Sequence, residues 1–278
     1  MSEMSSVFRS AAELDLFSRQ LRAKIVEVSG VCHVAHLGSA LSCVDILSVL
    51  YSGMLRIDSN KPRNPDRDRF ILSKGHAALA WYTVLAHSGF FPVEDLDQVA
   101  RPGSHLGEHP SCKGQPGVEA ATGSLGHGLP LGVGMALAAK VQQRSYNVVA
   151  LLSDGECNEG SVWEAAMFAA AKKLENLTAI VDFNKWQATG RSEEILALSP
   201  LVDKWKSFGW NAVEIDGHDH QQIITALERA KETPNQPTAI VAHTVKGKGI
   251  SFMEDDNNWH YRIPNADEIA QAKQELRV

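Results

Sequence analysis

The chain has 278 residues, 44% of them hydrophobic and 22% charged, with a formal charge of -6, enough for one large core or two modest ones in an ordinary soluble globular protein. No stretch approaches the ~18 apolar residues of a membrane span, and no basic cluster beyond Lys246 and Lys248 offers a footprint for nucleic acid, so neither membrane nor nucleic acid is an expected partner. Cys32, Cys43, Cys112 and Cys157 form no C-x-x-C pair, which argues against a zinc site or a disulfide framework; with residues 1–10 polar and lacking an export pattern, the expected compartment is the cytoplasm.

In chain order, the apolar periodicity predicts helices at 11–29, 42–54 and 75–88, joined by Gly- and Pro-rich connections. Residues 102–123 hold five glycines and three prolines and read as a long loop, which in a compact domain is usually functional. The rhythm then changes. Apolar runs at 148–152, 177–183, 211–215 and 238–245 read as buried strands, separated by helical stretches at 160–174, 200–208 and 220–231. That alternation predicts an α/β fold, a parallel sheet with helices on both faces. No linker or repeat is visible, so residues 1–278 read as a single domain, helical and loop-rich to about 124 and alternating from about 125 to 265.

Ser161 and Glu164 match an S-x-x-E capping box, placing a helix start just after the first predicted strand. In open parallel sheets ligands bind beyond the carboxyl ends of strands. Asp154 and Gly155 end one strand and Asn184 ends the next, so both point to one rim. One carboxylate and one amide oxygen suit a hard divalent cation such as magnesium, which completes its octahedron with phosphates and water. Gly155 would let the backbone approach phosphates closely, and the helix start at Gly160 would add amide donors and a positive dipole end.

Ser153-Asp154-Gly155-Glu156 followed by Asp182-Phe183-Asn184 resembles the thiamine diphosphate signature, with Ser153 where its first glycine usually stands. Further motifs follow the order of the transketolase family: Ala35-His36-Leu37-Gly38-Ser39, the run from Asp68 to His76 matching D-R-F-x-L-S-x-G-H, His109-Pro110 before Pro116-Gly117-Val118-Glu119, and the segment from Thr122 to Gly128. The chain is thus identified by resemblance, over residues 22–265, with the amino-terminal, diphosphate-binding part of that family.

The resemblance implies thiamine diphosphate held through Mg2+, for which Ca2+ or Mn2+ could substitute. Asp154, Asn184 and the Trp186 carbonyl would bind the metal. His76, Gly123, Ser124, Leu125, Gly126, Asp154, Gly155, Glu156, Asn184 and Trp186 would bind the cofactor. His36, His76, His109 and His260 would line the catalytic funnel, donating to a sugar hydroxyl or relaying its proton near neutral pH. The resemblance further implies that Glu159 couples two active sites, that His127 stands where the family often has Gln, and that Gly128, Gly132 and Gly134 continue onto a helix. The family's pyrimidine-binding and C-terminal domains are not in this sequence. A second chain carrying them is therefore implied, in a heterotetramer of two such pairs, acting on sugar phosphates or other anionic sugars. The activity implied is ketol transfer by a split transketolase. The alternatives are a subunit of another thiamine diphosphate enzyme, of the 1-deoxyxylulose-5-phosphate-synthase or 2-oxo-acid-dehydrogenase kind, and a non-catalytic homologue that only holds cofactor.

Three other signals are set aside. His105-x-x-Glu108-His109 matches an inverted zinc peptidase motif, but Gly107 and Pro110 oppose the helix it needs. No segment fits the dinucleotide or P-loop glycine patterns. His218 and His220 flank Asp219, which reads as a helix N-cap rather than part of a metal site.

Overall fold

A computed structural model describes residues 10–278; the polar start at residues 1–9 lies outside the described residues. Ser10 and Glu13 form a reciprocal capping box that starts α1 (Ala11–Cys32), and the helix ends where His33 turns left-handed. α2 (Leu37–Ser42) and α3 (Val44–Val49) run into a π-turn at Leu50–Met54. The helix expected at 42–54 therefore begins five residues earlier. Every residue of α2 and α3 is buried, so no polar face marks the true start.

β1 (Arg69–Leu72) was not expected as a strand. It has four residues, too few for an alternating pattern to show. α4 (Ala78–His87) follows a tight turn at Gly75–Ala77, and residues 99–127 contain no helix or strand, as the loop reading requires. The alternating part then runs α5 (Gly128–Val141), β2 (Val148–Ser153), α6 (Gly160–Ala171), β3 (Leu177–Phe183), α7 (Ser192–Ile195), α8 (Leu201–Ser207), β4 (Asn211–Asp216), α9 (His220–Glu232), β5 (Thr238–His243) and α10 (Ala266–Leu276).

Two expectations are corrected. The capping box at Ser161 does not form: the N-cap of α6 is Glu159, which makes no side-chain cap bond, and the Ser161 hydroxyl instead donates to the Gly126 carbonyl at 2.8 Å. A helix also lies beyond residue 265, since Asn265 and Glu268 make a capping box that starts α10. α10 lies against α1, with Lys273 donating to Glu27 at 2.7 Å.

All five strands are parallel, in the order β1-β2-β3-β5-β4. Successive strand residues point to opposite faces. Val149 and Leu151 join a core with α1 to α4 and α9, whereas Val148, Ala150 and Leu152 join a second core with α5, α6 and α8. Strands covered on both faces become continuous apolar runs, which is why β2, β3 and β5 were legible.

Asp219 caps α9 as expected, accepting from the Gln221 and Gln222 amides. Its neighbours do something else. His218 Nδ1 lies 2.7 Å from buried Asp45, whose other partner is the two-pronged Arg22 at 3.0 and 2.6 Å; His220 Nε2 lies 3.3 Å from the same carboxylate. Burial is the largest influence on the Asp45 carboxyl and pushes it up, but the Arg22 charge and the bonds from His218, His220 and Arg22 hold it well below the usual carboxylate range. A depressed folded-state value means that this group's stabilisation is complete above the unfolded carboxylate value and is lost as pH falls through it towards the folded one. Urea unfolding of Asp45→Asn is therefore expected to show a pH dependence flattened by about 1 kcal/mol between neutral pH and pH 3.

Candidate functional site

The carboxyl ends of β1, β2, β3 and β5 share one rim. Ser73 and Lys74 leave β1, Asp154 leaves β2, Asn184 leaves β3, and Thr244 and Lys246 follow β5. Ser153 and Asp182 are in register, so Asp154 and Asn184 stand side by side as the sequence predicted. The Asp154 carboxylate is fully buried and bonds only neutral groups among the described residues, the Gly155 amide at 2.9 Å and the Ser192 hydroxyl at 2.8 Å. Burial pushes this carboxyl up to about 6, opposed by the Ser192 hydrogen bond and reinforced by the charge of Asp182. Asn184 Oδ1 accepts from the Trp186 amide at 3.1 Å and keeps a lone pair free.

One lysine of the rim is already committed. Lys74, wholly buried, pairs with Asp182 and donates to the Ser39 carbonyl at 2.9 Å. Asp182 also accepts from Ser42 at 2.6 Å and from Thr244. Lys246, also buried, donates to Asn257 Oδ1 at 2.7 Å and lies 3.1 Å from His260 Nδ1. Burial pushes its ammonium down to about 8, against the pull of Asp154. The rim thus holds a carboxylate and an ammonium, each without a charged partner in direct contact among the described residues, and buried charges of that kind call for a counter-ion. A divalent cation at Asp154 and an anion at Lys246 meet both demands.

All four histidines singled out in the sequence converge. The His36 ring centroid lies 4.8 Å from His260, 5.5 Å from His76 and 6.1 Å from His109. Left-handed backbone at His36 (φ 66°) and its amide bond to the His260 carbonyl at 2.8 Å set this geometry. Burial is the main reason that His36, His76 and His260 are all harder to protonate than a free imidazole; His260 is pushed down to about 3, with the Lys246 charge adding to the effect. Neutral at pH 7, they can both donate and accept. Because Lys246 donates to His260 Nδ1, the proton of His260 sits on Nε2. His36 Nδ1 and Gln187 Nε2 are buried with no partner, as expected of groups waiting for a polar ligand.

The glycine-rich turn is suspended from the sheet. Thr122 Oγ1 donates to the Leu72 carbonyl at 2.7 Å, and the Gly126 amide donates to Glu156 at 2.8 Å. Gly123 and Gly126 have φ of 142° and 81°, values that side chains resist. A Cβ at Gly75 would sit 2.6 Å from the Gly123 amide nitrogen, and one at Gly123 would sit 2.8 Å from the His109 ring. Gly155 is similarly close, since its Cβ would lie 3.1 Å from Gln187 Cγ. Ser124 and Leu125 lie partly open between these anchors.

The carboxylate of Glu156, a residue expected among the cofactor contacts, accepts from the Ser73 hydroxyl and the Gly126 amide and so fixes the turn. The helix expected to start at Gly160 does so, one tight turn (Gly155–Asn158) beyond the strand end. Lys74, Lys246, Asp182 and Ser192 were missed as site residues, although Lys74 and Asp182 stand inside the quoted motifs. The segment from His105 to His109 is irregular, and among the described residues no three His, Cys, Asp or Glu side chains converge as a metal cage.

The model of the transketolase thiamine diphosphate binding domain matches residues 17–278. The chain belongs to the transketolase family. It is 40% identical over 263 residues to an apulose-4-phosphate transketolase subunit from Phocaeicola vulgatus, covering 95% of this chain and 93% of that one. It is 43% identical over 234 residues to a 6-deoxy-6-sulfo-D-fructose transketolase subunit from Clostridium sp., covering 84% and 85%. Human transketolase is 40% identical over 244 residues, 87% of this chain but 38% of the longer protein. The crystal structure of Campylobacter jejuni transketolase superposes with a TM-score of 0.90 at 30% identity, over 97% of this chain and 43% of that one. Within the transketolase family this chain thus matches single subunits over most of their length and a full-length enzyme over less than half.

Proposed function

We propose that this chain is the diphosphate- and metal-binding subunit of a two-chain transketolase that transfers a two-carbon ketol unit from a ketose to an aldose. The observation that carries the reading is the convergence of His36, His76, His109 and His260 beside a strand-end rim with a buried carboxylate and a buried ammonium, both lacking direct charged partners. The residues present fit magnesium and thiamine diphosphate. Asp154, Asn184 and the Trp186 carbonyl would hold the metal, Lys246 and the Gly123–Gly126 turn the diphosphate, and Gly155 would allow close approach. When bound, thiamine diphosphate supplies the nucleophilic carbon and the electron sink for carbon–carbon cleavage.

The chain's own residues orient the sugar and handle its protons. His260 would donate from Nε2, while His36, His76 and His109 would donate to or accept from substrate hydroxyls, and His36, His76 and His260 would act without a net charge to desolvate. The two relatives named as subunits carry a sugar phosphate and a sulfo-sugar in their names, so the substrate class we infer is a ketose with an anionic tail. The second chain would supply the pyrimidine-binding and C-terminal domains, and we place the assembly, a heterotetramer, in the cytoplasm. Residues 1–278 are read as one domain, which the shared sheet and the packing of α10 on α1 support.

The test is ketol transfer from xylulose 5-phosphate and from sulfonated ketoses to ribose 5-phosphate, with Mg2+ and thiamine diphosphate. It is run on this chain alone and then with the chain that copurifies from its source. Transfer is expected only in the complex. Cofactor binding without transfer to any aldose would favour the other thiamine enzymes or a non-catalytic homologue.

A further inference from the structure

After Asn184 the chain makes a tight hairpin. Trp186 and Arg191 bridge antiparallel, the Gln187 amide donates to the Gly190 carbonyl at 2.8 Å, and the Ser192 amide donates to the Lys185 carbonyl at 3.1 Å. Its base carries the amide oxygen of Asn184, the carbonyl of Trp186 and the Ser192 hydroxyl that bonds Asp154. Its outer face carries an unusual closure. The Arg191 guanidinium lies 3.8 Å over the Trp186 ring; Asp255 accepts two bonds from Arg191, both at 2.7 Å, and one from the Trp186 indole at 2.8 Å.

Asp255 belongs to the segment that positions the other half of the site. Its left-handed backbone (φ 59°) donates to the Lys246 carbonyl at 2.8 Å. Two residues on, Asn257 accepts from Lys246 Nζ and donates to the Ala188 carbonyl at the hairpin tip at 3.1 Å. One short stretch of chain therefore grips both the hairpin that carries the candidate metal oxygens and the lysine that would meet the anion.

We propose that Asp255 and Arg191 are positioning residues: by clamping the Trp186 indole they fix the direction of the Trp186 carbonyl and lock the metal hairpin to the Lys246 segment. The proposal rests on the reading of this rim as a metal–diphosphate site. The Arg191 and Asp255 side chains are 35% and 54% exposed, and an ion pair so exposed contributes little to folding. A two-pronged arginine stacked on an aromatic ring nevertheless sets direction more strictly than a lysine could. Partners that orient ligating groups commonly change metal affinity by about 10–100-fold.

The experiment compares the wild-type chain with Asp255→Ala, Arg191→Ala and Arg191→Lys. Hydrogen exchange of residues 185–192 is measured on the unliganded chain, and calorimetric titration with Mg2+ and thiamine diphosphate on the complex with its copurifying partner. Faster hairpin exchange and about tenfold weaker cofactor binding are expected in all three variants, with the melting temperature of the unliganded chain and kcat at saturating cofactor unchanged. Exchange at the wild-type rate, or binding within twofold of wild type, would overturn the clamp. A wild-type complex that binds no cofactor would overturn the functional reading and the positioning role together, whereas faster exchange would then still mark the hairpin contact as real.

Discussion

Asp154→Ala is expected to abolish ketol transfer, leaving below about 1% of wild-type activity, because on the proposed reading it removes a direct metal ligand, a loss that exceeds the roughly 10–100-fold cost of a lost outer partner. Asp154→Asn is expected to lose activity too, yet to leave the unliganded chain at least as stable as one that carries Asp154. Its carboxylate is wholly buried, and burial pushes it up to about 6; at pH 7 the folded protein therefore holds a charge that its surroundings oppose, at a cost of about 1–3 kcal/mol. Asp154→Asn, which keeps the volume and an acceptor for Ser192, removes that cost without opening a cavity. Thermal unfolding without metal, run beside a Mg2+–thiamine diphosphate titration of the complex, separates the two effects. A residue kept for folding would lose stability with function. Here they are expected to move in opposite directions, as at sites where function tolerates local instability.

Lys74→Met is expected to cost about 3–5 kcal/mol of folding stability, the usual penalty for leaving a buried charge without its partner. Lys74 and Asp182 are both fully buried. Burial is the largest influence on each and disfavours its charge, yet the attraction between them prevails, so Lys74 is held more basic and Asp182 more acidic than usual. Methionine fills the lysine's stem volume but strands the Asp182 carboxylate, which then has only the hydroxyls of Ser42 and Thr244 and the distant Asn184 amide at 3.5 Å. Adding Asp182→Asn to Lys74→Met is expected to recover part of the loss, because the stranded group is then neutral. Urea unfolding of the single and double variants measures this coupling directly. Additive losses would mean that the pair is not the stabilising unit.

Much of this architecture was readable in one dimension. The strands at 148–153, 177–183 and 238–243 were visible because coverage on both faces makes them continuous apolar runs, and the loop at 102–123 because glycine and proline cannot be hidden in a helix. β1 was not visible, since Phe70, Ile71 and Leu72 are too few to show a period. The start of α2 was hidden because the helix is buried all round. At Ser161 the S-x-x-E pattern was real but its hydroxyl had a better use, holding Gly126 in the turn. A capping motif records only what a side chain can do locally.

The sequence by itself determined the alternation of strands and helices, the placing of Asp154 and Asn184 at strand ends on one rim, and the motifs that put His36, His76 and His109 in the family's order. The first two follow from local periodicity and from short spacings along the chain, the third from resemblance to the family. Only the tertiary structure decided how the charges are shared. Lys74 reaches Asp182 and not Asp154, Glu156 turns to Ser73 and Gly126, His218 and His220 serve Asp45, and Lys246 is left with neutral neighbours. Nothing near a lysine in sequence tells which of two carboxylates will lie within reach. That choice is made when β1, β2, β3 and β5 come together and water leaves the rim, for only then does the distance between charges set which is paired and which awaits a ligand.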